Sequence, residues 1–464
     1  MTECSQSSFD FQGLFSRGVV GRFDGGQITS DGGALLLREV ESRTRIVERF
    51  AECFRDHRSP DRIEHSVNEL VAQRIYGLAL GYEDLNDHDQ LRSDPLMAVV
   101  AGKRDPEGAC RRKPRDRGKA LAGKSTLNRL ERTKADAGRE ERYAKIVMDP
   151  EAIDRLLVDV FLEAHRAAPE EIVLDLDATD DPLYGKQEGR FFHGYYGHYC
   201  YLPLYIFCGE HLLCARLRSS NIDASAGSKE EVERIVTRIR QRWPEVRIIL
   251  RADSGFCREE LMGWCDGHQV DYVIGLARNA RLRKWIDAEM AQAQNLHGQS
   301  QQAARIFREF SYRTHDTWSR ARRTIAKAEY LDKGENPRFL VTSLDPERWA
   351  ARPLYEQLYC ARGEMENRIK EQFMLFSDRT STAHMRSNQL RLYLSSAAYL
   401  LMHGLRRLGL RGTALAKAQC ETIRLKLLKI GALVRITVRK VWISFSSGFA
   451  EQMLFQRIFQ QLRS

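Results

Sequence analysis

Three carboxylates among the 63 acidic residues of this 464-residue chain stand where metal-assisted phosphodiester chemistry would want them. That chemistry needs acidic ligands converging on one point, because two divalent cations about 3.5–4 Å apart clamp the attacking and leaving oxygens. Asp177 ends the short apolar run Ile172-Val173-Leu174-Asp175-Leu176-Asp177, and Asp253 follows Ile248-Ile249-Leu250 just before Ser254-Gly255. Both runs read as strands, and ligands bind at strand ends in open α/β sheets. Asp175 lies two residues before Asp177, so both point to one face and alternation alone leaves the choice open. We take Asp177. A helix cap is an equally good reading of Asp253 taken alone.

The third carboxylate is Glu366, in the segment YCARGEMENRIKE. Tyr359, Arg362, Glu366 and Lys370 are spaced 3, 4 and 4 apart and fall on one helix stripe, with Glu364 nearly opposite. An aromatic ring, two cations and a carboxylate make a poor core face. They suit a metal-bound phosphate, with Arg and Lys on phosphate oxygens and Glu on the cation. The bland alternative is a solvated helix with Arg362–Glu366 and Glu366–Lys370 ion pairs.

The elements around these residues read as an α/β layer protein. From Ser30 to about Arg166 the pattern is helical, and Ile153, Leu156, Leu157, Val160 and Phe161 mark the buried face of the last helix. Strands are expected at Ile172 to Asp177, Phe191 to Tyr199, Tyr201 to Cys208 and Leu212 to Leu217, the last three forming a meander. Helices at Ser228 to Arg242 and Arg258 to His268 then alternate with strands at Val246 to Leu250 and Tyr272 to Leu276. Between about residues 280 and 346 a Gln-rich helix and three strand-like pieces read as a β-rich insertion. Helical periodicity returns at Leu354, and the chain beyond Leu390 reads as helical and basic. The implied division is a helical N-terminal region over 1–166, a catalytic domain over 167–380 and a basic helical C-terminal region over 381–464.

Lys and Arg outnumber Asp and Glu by 73 to 63, a formal charge of +10 that suits a polyanionic partner without demanding one. Lys103, Arg104, Arg111, Arg112, Lys113, Arg115, Arg117 and Lys119 crowd one stretch that reads as an exposed loop, either a solvated linker or a DNA contact. Arg406, Arg407, Arg411, Lys417, Arg424, Lys426 and Lys429 form a second basic set, suited to DNA phosphates or to solvent. The ten cysteines show no Cys-x-x-Cys and no regular framework, which implies a reduced, cytoplasmic protein. No apolar run reaches the roughly 18–20 residues that span a bilayer, and the polar N-terminus lacks a signal-peptide core.

With these residues in view, the chain resembles a known family. Tyr-x-x-Arg-x-x-x-Glu, read as Tyr359, Arg362 and Glu366, is similar to the signature around the third catalytic carboxylate of transposases related to the insertion-sequence-four group. LDLDATDDPLYGKQEGRFFHGYYGHYCYLPLYIF and RADSGFCREELMGWCDGHQVDYVIGLARN resemble the first and second catalytic blocks of the insertion-sequence group numbered thirteen-eighty. The resemblance covers nearly the whole chain and implies a DDE transposase. Its fold would be an RNase H-like catalytic domain interrupted by a β-rich insertion. It implies cleavage of transposon ends and their joining to target DNA, with Mg²⁺ as cofactor and Mn²⁺ as substitute, and a homodimer on double-stranded DNA associated with the nucleoid. Asp177, through its Asp-Ala-Thr context, Asp253 and Glu366 match the three metal-binding carboxylates. Tyr359 and Arg362 would hold a terminal phosphate. The family pattern places a Lys seven residues after Glu366, where this chain has Phe373, so Lys370 is a substitute on the same face. Trp318, in the expected insertion, is a candidate to stack on an unpaired base by its chemistry alone, although a hydrophobic plug is the better reading of it.

Two rival readings remain. Gly118-Lys-Ala-Leu-Ala-Gly123-Lys124-Ser125 fits the phosphate-loop pattern of nucleotide hydrolases, but the charged ACRRKPRDR before it is no buried strand to feed such a loop. A non-catalytic DNA-binding protein would explain the charge and leave the three carboxylates unexplained. His193, His198 and Cys200 lack a standard zinc-ligand spacing and read better as packing residues.

Overall fold

The computed structural model describes residues 8–464. Contacts divide the chain into two compact units, one running from Met148 to Ser396 and the other combining the chain up to Val147 with Ala397–Ser464. The two terminal regions that sequence sets apart therefore share one unit.

In the Met148–Ser396 unit, α1 (Pro150–Glu163) leads into the central strand β1 (Glu171–Ala178). Strands β2 (Leu204–Cys208) and β3 (His211–Arg216) follow antiparallel, while β4 (Arg247–Ala252) and β5 (Asp271–Leu276) join in parallel on the other side of β1. Helix α2 (Ser228–Arg242) connects β3 to β4, and α3 (Glu259–Gly267) connects β4 to β5. Crossover helices are what parallel neighbours require.

The segment expected as an insertion is not a detached layer. After α4 (Asp287–Ser300), strands β6 (Ala304–Tyr312), β7 (Arg322–Leu331) and β8 (Arg338–Thr342) continue the same sheet, in the order β3-β2-β1-β4-β5-β8-β7-β6. Antiparallel pairing of β8 to β5, from Val273–Thr342 to Leu276–Phe339, makes the join. The stretch Phe191–His193 and His198–Tyr201 is not part of that sheet. It forms a small three-stranded sheet with Asp181–Pro182, because Gly194 and Gly197 turn the chain inside the run that reads as one strand.

Period-two alternation gives the sheet two distinct faces. Ile172, Leu174 and Leu176 of β1 join a core built with Val158 and Phe161 of α1, Val232, Ile235, Val236 and Ile239 of α2, and Leu261 and Met262 of α3. The four α2 residues recur at i, i+3, i+4 and i+7, the spacing of one buried helix face. Val173 points to the other face, where Ile249, Val273 and Leu340 pack under Leu354, Tyr355 and Leu358. Asp175 and Asp177 share the parity of Val173, so they emerge on the face covered by residues 354–358.

In the other unit, helices Ala34–Thr44, Val67–Leu80 and Lys124–Glu131 form the expected helical core. The C-terminal region departs from its helical reading: Ala432–Ile436 and Val441–Phe445 are strands that pair with each other and with Ile28–Thr29. Alternation in Ala432, Val434 and Ile436 is the signal. Leu390–Met402 lies inside the helix Met385–Gly409, and among the described residues no helix is long and apolar enough to cross a membrane. Gly123 caps the helix Lys124–Glu131, but a 3-10 turn at Pro114–Asp116 precedes it in place of a strand. The Lys124 ammonium is engaged by Asn86 at 3.0 Å and Asp89 at 3.5 Å, so the phosphate-loop match lacks its fold.

Candidate active site

Register puts the first two carboxylates side by side. In the parallel pair, Arg251 lies opposite Asp175 and Ala252 opposite Leu176, so Asp253 and Asp177 emerge next to each other at the strand ends. Adjacent strands are about 4.8 Å apart, and the carboxylates feel each other: the charge on Asp253 is one cause that raises the pKa of Asp177. Burial is the largest cause, opposed by Arg362, and together they push Asp177 up to about 6. Asp177 accepts from the Ala178 N–H at 3.0 Å and from Arg362 Nη1 at 3.1 Å. Asp253 also caps the turn Ser254–Phe256 by accepting from the Gly255 N–H at 2.8 Å, so the capping reading is realised at a residue that lines the cavity.

Asp175 and Asp177 differ in their partners. Asp175 is buried and accepts from Arg251 Nε at 2.5 Å and Nη2 at 2.8 Å, a bidentate pair that occupies both oxygens. Arg251 Nη1 also donates to the Leu358 carbonyl. One buried cation thus ties β1, β4 and the covering segment together. That segment is π-helical over Leu354–Tyr359, then 3-10 over Cys360–Arg362, and becomes α5 at Gly363–Met374. Single π-turns recur at functional sites.

A cavity of about 590 Å³ opens beside the two aspartates. Asp177, Asp253, Arg362, Glu366, Lys370 and Phe373 all line it. Of the expected stripe, Arg362, Glu366 and Lys370 line the cavity, joined by Phe373 at 11 residues from Arg362, while Tyr359 and Glu364 do not line it. Phe373, which stands where the family pattern has a cation, brings a ring to the wall. Glu366 is 56% exposed, 4.0 Å from Arg362. Arg362 sits between the acids, and Asp177 and Asp253 outweigh the cost of its burial and raise its pKa.

Three carboxylates on one cavity are the hard oxygen donors that Mg²⁺ and Mn²⁺ prefer. Among the described residues no three His, Cys, Asp or Glu side chains are already gathered at metal-holding distance. Asp177 and Asp253 are the neighbouring carboxylates that could hold such an ion, and Glu366, 56% exposed, is the third carboxylate of the cavity lining.

Tyr359 is half-buried, with its ring 5.8 Å from that of Tyr355. Its hydroxyl reaches the end of β5 through a space that only glycine leaves: a Cβ on Gly275 would stand 2.8 Å from Tyr359 Oη and 2.8 Å from the Ser254 nitrogen. Gly275 is a site residue that the sequence reading missed, and an isolated glycine inside a strand is its signal.

Trp318 does not serve as a stacking platform. It is 3% exposed, packs edge-on to Tyr312 at 5.6 Å and lies under the Arg322 guanidinium, as core residues do. Beside Phe256 and Phe373, the cavity is lined by His193, Tyr195 and Tyr196 from the small sheet and its turn, and Tyr195 is 87% exposed. Repeated glycine among aromatics in FFHGYYGHY was the available clue. His198 pairs with Asp180 at 2.8 Å and Cys200 is buried. Of the C-terminal cations, Arg424 donates to the carbonyls of Leu78 and Ala79, Lys429 pairs with Asp31 at 2.7 Å, and Arg406 is buried beside Cys420; these three brace the fold and are not free for DNA.

The sequence matches the family model described as Transposase DDE domain group 1 over residues 11–464. No curated protein matches it. Among solved structures, one that aligns with it is a cryo-EM structure of the piggyBac transposase synaptic complex with hairpin DNA, at 11% identity and a TM-score of 0.44, covering 86% of this chain and 80% of that one.

Proposed function

The chain belongs to the Transposase DDE domain group 1 family, and from that premise we propose that Asp177, Asp253 and Glu366 are its three catalytic carboxylates. The observation that carries this reading is their convergence on one cavity with Arg362 and Lys370. The sheet order, three antiparallel strands followed by two parallel ones, supports an RNase H-like catalytic domain. The quoted catalytic blocks favour the thirteen-eighty insertion-sequence group.

The reaction is cleavage of DNA at the ends of a mobile element and attack of the freed 3′-hydroxyl on target DNA. A divalent cation, Mg²⁺ or Mn²⁺, supplies the Lewis acidity that activates the attacking oxygen. Asp177 and Asp253 at the strand ends and Glu366 on α5 would hold it. Arg362 exchanges its contact with Asp177 for a phosphate oxygen when DNA enters, and Lys370, one turn beyond Glu366, holds a second. Tyr359 positions the phosphate through its hydroxyl. Tyr195, exposed at the rim, takes the stacking role that chemistry alone had given to Trp318. The helical region over residues 1–166 binds the terminal repeats, and two copies pair the two ends in a synaptic dimer.

The test is cutting of a duplex carrying the element's own end, with Mg²⁺, with Mn²⁺ and with a chelator, beside an ATP hydrolysis control. Cation-dependent cutting without ATP turnover is the expected result. ATP turnover without cutting would contradict it and restore the phosphate-loop reading.

A further inference from the structure

A second cavity, of about 200 Å³, lies in the unit that holds the N-terminal helices. Arg58, Arg62, Arg111, Arg129 and Lys145 line it, against Glu64 as the single carboxylate of the lining. Some of this charge is spent within the fold. Arg58 is paired with Asp56 at 2.7 Å, and Arg111 with Glu64 at 3.4 Å. Arg129 and Lys145 are not: the Arg129 guanidinium lies 4.8 Å from the Tyr143 ring centroid, Lys145 donates to the Arg139 carbonyl, and neither has a carboxylate within ion-pair distance among the described residues.

His65 gives the cavity direction. It is 5% exposed, and its Nδ1 lies 3.3 Å from the Lys103 ammonium. An ammonium only donates, so Nδ1 accepts and the ring proton sits on Nε2. Burial, then the charges of Lys103, Arg111 and Arg58, push the imidazole pKa down to about 3, so this tautomer is neutral at pH 7. Nε2 is buried with no hydrogen-bond partner, and so is the Nε of Arg111. A buried donor left without an acceptor is costly, and a native protein that keeps two of them beside free cations calls for an acceptor from outside.

We propose that this cavity binds one phosphodiester of double-stranded DNA, with its oxygens facing Arg129, Lys145 and the His65 Nε2–H. The surroundings favour a polymer over a free anion. Arg129, Arg62 and Tyr143 are exposed at the opening, and the Arg112 backbone N–H bonds to Glu64 at 3.1 Å, which brings the exposed Arg112, Lys113, Arg115 and Arg117 alongside. Cations in a row beside a seated phosphate meet the neighbouring phosphates of a strand. The inference rests on the reading of the protein as acting on DNA.

The experiment compares the full chain with Arg129→Ala/Lys145→Ala. Binding of a labelled duplex carrying the element's end, and of a random duplex, is titrated between about 50 and 200 mM KCl. The variant is expected to bind both about 10-fold more weakly, with a slope of log K against log salt smaller by about 1–2. Equal affinity and slope in a folded variant would overturn the site. Native protein that binds neither duplex would remove the DNA reading itself. On the native protein, acetylation of Lys145 read by mass spectrometry should fall when duplex is added, whatever the variant's folding. Protection by inorganic phosphate but not by duplex would make this a small-anion site and contradict the assignment.

Discussion

Arg251 donates to both oxygens of Asp175, at 2.5 and 2.8 Å, while Asp177, two residues on, receives Arg362 from the opposite wall of the cavity at 3.1 Å. Two aspartates of one strand face are thereby given different work. The first is locked inside a tie between β1, β4 and the segment before α5, and the second is left facing the space where a substrate would lie.

Asp175→Ala leaves the Arg251 guanidinium buried without its counter-charge, which costs about 3–5 kcal/mol when a buried pair is broken from one side. Asp177→Asn removes a carboxylate that burial already penalises, so its stability stays near that of the native protein while cutting is lost. Urea unfolding and DNA cleavage on both variants separate the two roles. Native stability in Asp175→Ala would show that the pair is not structural.

The parity that brings Asp175 and Asp177 to one face was legible in the sequence, and so was the helical stripe of Arg362, Glu366 and Lys370. Which aspartate is free was not, because it depends on Arg251, a cation whose partner is 76 residues away in sequence. Local periodicity also found β6, β7 and β8 but not their place. Strands signal their existence through alternation and their neighbours only through register, which no local pattern carries. Trp318 is the buried plug that its better sequence reading suggested: its burial comes from Tyr312 and Arg322 folding over it, not from its flanking residues.

Gly275 makes room for the Tyr359 hydroxyl and for the backbone of Asp253 and Ser254 at once. Gly275→Ala is expected to lose about 1–3 kcal/mol of stability and to depress cutting more than DNA binding, since it displaces the loop carrying Asp253. Adding Tyr359→Phe relieves one of the two clashes and should recover part of the stability. A single variant that cuts at the native rate would show that the close approach has no bearing on the site.

Asp181 is buried, accepts from Thr380 Oγ1 at 2.7 Å, and is pushed up to about 8 mainly by that burial. Its folded pKa lies above its ordinary value, so between about pH 4 and 8 the folded state holds a proton that the unfolded state releases. Stability therefore falls as pH rises through this window, by up to about 1.4 kcal/mol per pH unit. Asp181→Asn mimics the protonated form and keeps the acceptor for Thr380, so it should match the native protein near pH 4 and exceed it near pH 8. Parallel urea curves for the two proteins across that range would contradict the assignment.

The central claim is that Asp177, Asp253 and Glu366 act as one catalytic set. The most direct test is Mg²⁺-dependent cleavage of a duplex carrying the element's end by Asp177→Ala, Asp253→Ala and Glu366→Ala, with binding of the same duplex measured in parallel. Loss of cutting with retained binding in all three is the predicted result; full cutting by any one of them would remove that residue from the set.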